Sequence, residues 1–241
     1  MVFIEESSKD AAFHFSVEEL LTRLLLMELP VLMLWQADRT VMLGLNQAAA
    51  AEADIQFAEE SGIQIVRRSS GGGAIYTDLG TLLYTIVQPL VKDAKTHKED
   101  TAASIIAVLT KMGIPAVREG RNDILVNGCK ISGLAQYTSQ THICTHGSLL
   151  FDTDLDTLTR VLIANEEKLR SKGISSIRSR VTNIKPYANG IYSIDDFTKQ
   201  LKSELLSGLD FQTYKLSADE LNRADCIRRE KYDARGWNFR L

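Results

Sequence analysis

The chain has 241 residues, 44% of them hydrophobic, which is enough to bury one large core or two small ones. Its 28 basic and 31 acidic residues leave a net charge of −3, which excludes the global positive field that holds nucleic-acid phosphates. Three widely spaced cysteines, Cys129, Cys144 and Cys226, match neither a disulfide framework nor a paired zinc motif, and no apolar run reaches the roughly 18 residues of a membrane span.

In chain order, residues 15–27 (FSVEELLTRLLLM) carry apolar positions at helical spacing, with Ser16 and Glu19 in a capping-box pattern. Residues 31–35 and 40–43 read as two buried strands joined by the Ala37-Asp38-Arg39 turn. Residues 50–60 are rich in alanine and glutamate and stop at Gly62, which predicts a second helix. Strands are expected at 63–66, 74–76 and 82–87, and a helix at 99–112 that ends at Gly113 with Pro115 beyond. From 116 to 151 the pattern is strand-rich, and Asn127-Gly128 between apolar runs is a hairpin signal because both residues tolerate positive φ. Helices over 155–162, 194–206 and 218–231 complete a mixed α+β chain, with a mixed or antiparallel sheet and packed helices in one domain. The start, MVFIEESSKD, lacks a basic region followed by an apolar one, so a cytoplasmic, reducing setting is expected.

Four segments carry candidate chemistry. The first is Arg67-Arg68-Ser69-Ser70-Gly71-Gly72-Gly73-Ala74-Ile75-Tyr76-Thr77-Asp78-Leu79-Gly80. Three glycines in a row let an anionic ligand approach the backbone N–H groups, and the arginines supply planar cationic donors. A bare triple glycine also serves as a flexible turn, but the apolar strands on both sides argue against a linker. The second segment is Gly120-Arg121-Asn122-Asp123-Ile124, followed by the hairpin bearing Lys130 and then Ile131-Ser132-Gly133-Leu134-Ala135-Gln136. Its Asn-Asp pair offers an amide for a base or ribose and a carboxylate for a hard cation, while Lys130 is either a point charge for a carboxylate or α-phosphate or a solvated hairpin lysine. The third is Cys144-Thr145-His146-Gly147-Ser148-Leu149-Leu150, where cysteine and histidine alternate on one side of a strand. They form either a thiolate-imidazole nucleophile or an inert thiol beside a hydrogen-bonded ring. The fourth is Ser175-Ser176-Ile177-Arg178-Ser179-Arg180-Val181-Thr182-Asn183, with two arginines two residues apart.

In this order the blocks resemble the lipoate-protein ligase A family, with its R-R-x-S-G-G-G-A-V-[FY]-H-D-x-G loop, R-N-D-I pair, K-[IV]-S-G-x-A-Q strand, H-G-[ST]-L-L strand and S-[IV]-R-S-R-V-T-N segment. Glu18-Glu19, Leu34-Trp35-Gln36 and Gly44-Leu45-Asn46-Gln47 fit as well, so the likeness covers roughly residues 8 to 240. The resemblance implies a biotin/lipoyl-ligase, class II synthetase-like catalytic domain that uses ATP and Mg²⁺ to convert lipoic acid to lipoyl-AMP. The lipoyl group then passes to a lysine of a lipoyl domain or of glycine-cleavage H protein. It further implies that Arg68, Ser70, Gly71, Gly72, Gly73, Ala74, Ile75, Tyr76 and Asp78 belong to the nucleotide site, with Asn122 and Asp123 on its adenosine and metal side. Gly133, Ala135, His146, Gly147 and Ser148 would line the same site, and Lys130 would be its catalytic cation.

Three departures stand out. Thr77 replaces the loop histidine, and Leu45 replaces an arginine of the G-R-x-Q element. The sequence stops shortly after Trp237-Asn238-Phe239, where longer members continue into an accessory domain. The expectation is therefore a single catalytic domain over 1–241, with a separate accessory polypeptide as a partner for the first step. Two other readings stay open: a transferase of the same superfamily using Cys144, and an inactive lipoyl-binding module.

Overall fold

The computed structural model describes residues 1–120, 122–163 and 180–240. Its first half runs β1 (Val2–Ile4), α1 (Ala11–Arg23), β2 (Val31–Trp35), β3 (Thr40–Leu43), α2 (Ala49–Glu52), α3 (Ile55–Glu60), β4 (Gln64–Arg67), β5 (Ile75–Thr77) and β6 (Thr81–Pro89). Next come α4 (Ala94–Lys111), β7 (Val117–Glu119), β8 (Asp123–Val126), β9 (Cys129–Thr138) and β10 (His142–Leu150). The rest is α5 (Leu155–Val161), α6 (Ile194–Leu206), β11 (Gln212–Tyr214), α7 (Ala218–Ile227) and α8 (Arg235–Asn238).

Eight strands form one sheet in the order β11-β1-β2-β6-β10-β9-β8-β7, and three form a second in the order β4-β3-β5. Along β6 the side chains alternate between two cores. Leu82 and Tyr84 pack with α4 and α6, while Leu83 and Val87 pack with α1. The central strands are buried on both faces: β2 is apolar throughout, whereas β6 and β10 mix apolar residues with buried Thr85, Thr145, His146 and Ser148. The small sheet sets Met42 and Val66 against the α1 side of the large one, and Val41, Leu43 and Tyr76 against α2 and α5. The two sheets thus face each other across a shared interior, and this is the α+β arrangement expected. Among the described residues no helix is long and apolar enough to cross a membrane.

Several boundaries differ from the expectation for local reasons. Helix α1 begins at Ala11 because Asp10 accepts from the Ala12 N–H as its cap, whereas Ser16 lies inside the helix and donates to the Phe13 carbonyl. The expected helix over 50–60 is two, since Asp54 leaves the helix to cap the Phe57 N–H. Strands β2 and β3 do not pair: β2 lies between β1 and β6, and β3 lies between β4 and β5. The last expected helix ends at Ile227 and continues as a π-helical turn over Arg228–Tyr232. The hairpin is as predicted, with Asn127 at φ 50° and Gly128 at φ 78°. Of the expected site segments, Arg121 and residues 175–179, which include Arg178, lie outside the described residues.

Candidate active site

Between the sheets lies a cavity of about 690 Å³. Phe15, Trp35, Met42 and Leu83 make one part of it apolar, and Asn122, Asp123, Lys130 and Arg180 give it a polar region. The glycine-rich loop contributes Arg68, Gly72, Gly73, Ala74 and Ile75, and β9 and β10 contribute Gly133, Ala135, His146, Gly147 and Ser148. The hairpin lysine and the glycine loop therefore line one space, although 57 residues separate Gly73 from Lys130. A smaller cavity of about 160 Å³ adjoins it, lined by Ala74, Tyr76, Ser132, Leu150, Leu162 and Val181 among others. Lys130, Gly73 and Ile75 line both.

Strand alternation sends Ile131 into the core behind β9 and leaves Lys130 on the cavity side. Its ammonium lies 2.8 Å from Asp123 Oδ1, and Arg180 Nη2 donates to Asp123 Oδ2 at 2.9 Å. Burial alone would raise the Asp123 pKa, but the Lys130 charge and hydrogen bond, together with Arg180, outweigh it and hold the carboxyl below its usual range. Gly133 lies under the end of this side chain: a Cβ there would stand 2.9 Å from Lys130 Nζ and 3.1 Å from its Cε and would push the ammonium aside. Asn122 accepts from Lys98 Nζ at 3.0 Å through its side-chain oxygen.

Arg68 shapes the loop. It donates to the Met42 carbonyl at 2.8 Å, to Gly71 O at 2.8 Å, to Gly73 O at 2.7 Å and to Ser70 Oγ at 3.0 Å. Burial lowers its pKa to about 10, so the guanidinium stays cationic at neutral pH. Ser70 and Gly71 are absent from both cavity linings and act on the loop from behind. Asp78 is also outside both linings. Its two oxygens accept from the backbone N–H groups of Gly80 and Asp154 and so brace the turn that follows the glycine-rich loop.

From Ser70 a chain of hydrogen bonds runs inward. Ser70 Oγ is 2.6 Å from His146 Nε2, and Glu18 lies 2.8 Å from His146 Nδ1. Thr85 Oγ1 donates to Glu18 at 2.6 Å and accepts from Trp35 Nε1 at 3.0 Å. With Arg68 donating to Ser70 and Thr85 donating to Glu18, one hydrogen-bond assignment satisfies every member: Ser70 donates to Nε2 and Nδ1–H donates to Glu18. His146 and Trp35, which both line the cavity, are thus held by partners behind them. Glu18 is the residue that reading the motifs for chemistry passed over. Its signal was a carboxylate inside the apolar pattern of α1, where it is 1% exposed.

Cys144 shares this interior without lining either cavity. Burial, reinforced by the neighbouring Glu18 charge, pushes its thiol pKa well up, so the thiolate that a transferase nucleophile requires is disfavoured. Asp123, for which a metal role was expected, has both carboxylate oxygens engaged by side-chain cations, Lys130 and Arg180.

The ion triad gives a pH-dependent prediction. Because the native pKa of Asp123 is depressed, its stabilising contribution is present above the unfolded carboxylate pKa of about 4 and is lost only as pH falls through the lower native value. Asp123→Asn is therefore expected to lower the melting midpoint at neutral pH, with the gap to the parent protein closing in acid. A gap that is constant down to pH 2 contradicts this coupling.

Comparison with known proteins covers the same stretch of chain. The family model of the lipoyl protein ligase A/B catalytic domain matches residues 10–206. Lipoate-protein ligase LplJ of Bacillus subtilis is 33% identical over 243 residues, covering 99% of this chain and 73% of that protein. Among solved structures, a bi-partite lipoate protein ligase of Thermoplasma acidophilum, studied with its E2 lipoyl domain, superposes with a TM-score of 0.85 at 28% identity, covering 99% of this chain and 95% of that one. A lipoate-protein ligase A bound with ATP gives 0.84 at 26% identity, covering 99% and 97%. The chain belongs to the lipoyl protein ligase A/B catalytic-domain family.

Proposed function

We propose that this protein is a lipoate-protein ligase that joins lipoate to AMP and then transfers the lipoyl group to a lysine of an acceptor protein. The observation that carries the reading is Lys130 at the junction of the two cavities, opposite the glycine-rich loop. The apolar part of the larger cavity, walled by Phe15, Trp35, Met42 and Leu83, suits an acyl chain with a dithiolane. Ala74, Ile75, Leu150 and Val181 offer the smaller cavity as a slot for a flat base, which leaves the α-phosphate beside Lys130.

In the first step a lipoate carboxylate oxygen attacks the α-phosphorus, an anhydride bond forms and pyrophosphate leaves. Negative charge gathers on the α-phosphate oxygens, and a preorganised ammonium stabilises that transition state more than the ground state. Lys130 also neutralises the incoming carboxylate, which otherwise repels the phosphate. In the second step an acceptor ε-amine attacks the acyl carbon, AMP leaves and an amide remains. Much of the rate enhancement is assigned to holding both reactants in one pocket. Mg²⁺ is assigned to the ATP phosphates, where it would offset their charge, and no protein cage or reaction step is assigned to it. The acceptor is proposed to be a lipoyl domain or H protein, and the three free thiols suit a reducing, cytoplasmic compartment.

The test mixes purified protein, lipoate, Mg-ATP and a lipoyl domain and weighs the domain by mass spectrometry. A gain of one lipoyl group with no added factor is expected, and Cys144→Ala is expected to retain it. Loss of transfer in that variant would favour the thioester route, and tight lipoyl-AMP binding without turnover on any acceptor would favour a binding module.

A further inference from the structure

Arg67 closes β4, one residue before the cavity-lining Arg68, yet it lines neither cavity and is fully buried. A guanidinium out of water is stable only when its N–H groups find acceptors, and here these are backbone carbonyls from two separate segments. Gly44 O at 2.8 Å and Gln47 O at 2.6 Å come from the turn after β3. Trp237 O at 3.0 Å, Asn238 O at 2.9 Å and Arg240 O at 3.0 Å come from the C-terminal segment.

The same segment also grips the backbone. Asn238 Oδ1 accepts from the Arg67 N–H at 2.8 Å, and Trp237 Nε1 donates to the Arg67 carbonyl at 2.8 Å. Two residues further on, Ser69 Oγ meets the Tyr232 hydroxyl at 2.8 Å and accepts from Lys231 Nζ at 3.0 Å. The other half of the Arg67 cage leads into the cavity wall. Leu45 N–H donates to Ser70 O at 2.8 Å, and Gly44 packs so closely on the Gly72 carbonyl that a Cβ would overlap it.

We propose that residues 231–240 form a strap that positions the glycine-rich loop for nucleotide, with Arg67 as its hub and Trp237 and Asn238 as positioning residues outside the cavity. Consecutive glycines order only at a large entropic cost, and a loop held before the ligand arrives does not charge that cost to binding. The inference rests on the ATP-dependent ligase reading for its kinetic part and on geometry alone for its structural part.

The test compares Asn238→Ala and Trp237→Phe with the parent full-length chain, using Arg229→Ala as a control because that side chain pairs with Asp225 away from the strap contacts. Amide hydrogen exchange over residues 67–76 is expected to rise roughly tenfold in Asn238→Ala, while the α6 peptide is unchanged. Pyrophosphate release should show KM for ATP raised about tenfold and KM for lipoate changed less than threefold, the pattern of a lost nucleotide-positioning contact. Trp237→Phe keeps an aromatic ring but removes the indole N–H that bonds Arg67 O together with part of the ring system, and should show the same pattern at smaller size, so the inference stays testable if Asn238→Ala does not fold. Unchanged exchange at 67–76, or an equal rise over the whole chain, overturns the strap. A parent protein that forms no lipoyl-AMP defeats the ligase reading instead, and the exchange measurement still decides the strap.

Discussion

Lys130→Ala is expected to slow lipoyl-AMP formation by about three orders of magnitude, the size of effect seen when a preorganised transition-state donor is removed. The fold should survive, because Asp123 keeps Arg180 as its partner and the lysine side chain is partly solvent-exposed. A loss of about 1 kcal/mol corresponds to a melting midpoint lower by roughly 2–4 °C in a domain of this size. Lys130→Arg keeps the charge but spreads it over a planar group with its donors in other directions, so it should recover little activity. Pyrophosphate release and calorimetric melting measure the two effects separately. Adenylation within tenfold of the parent rate would take Lys130 out of the chemistry.

Glu18→Ala should produce the largest loss of stability among single changes at the site. It leaves His146 Nδ1–H and the Thr85 hydroxyl without their acceptor in an interior that water does not reach. Unsatisfied buried donors cost about 1–3 kcal/mol each, so a total near 3 kcal/mol and a midpoint drop of roughly 6–12 °C are expected. Because His146 and Trp35 form cavity wall, KM for lipoate should rise by about tenfold even where the variant is folded. Glu18→Gln retains one acceptor oxygen and should recover most of the stability. An unaltered midpoint in Glu18→Ala would show that this network does not hold the wall.

How far the site was legible depended on whether its signal was local. The Asn127-Gly128 turn, the alternation that turns Lys130 away from Ile131, and the glycine run are decided by a few neighbouring residues, and they read directly. Phe15, Met42 and Leu83 did not read as site residues, because an apolar side chain becomes a cavity wall only when the opposite sheet arrives, and Glu18 did not because its partner His146 comes from a distant strand. The Asp154 N–H that donates to Asp78 is likewise brought near only by the fold. Strands β2 and β3 show the limit for topology, since two apolar strands joined by a short turn went to different sheets.

The order of apolar and polar residues by itself determined the α+β class, most element positions and the family, since periodicity and motif spacing are properties of the chain alone. Tertiary structure alone decided that Lys130 and the glycine loop share a cavity, that Glu18 anchors its wall, and that Arg67 is caged by the turn after β3 and the C-terminal segment. Each of these is a pairing across a long sequence separation. Such a pairing is set by which buried polar groups can satisfy one another once the sheets have packed, and no local pattern encodes that.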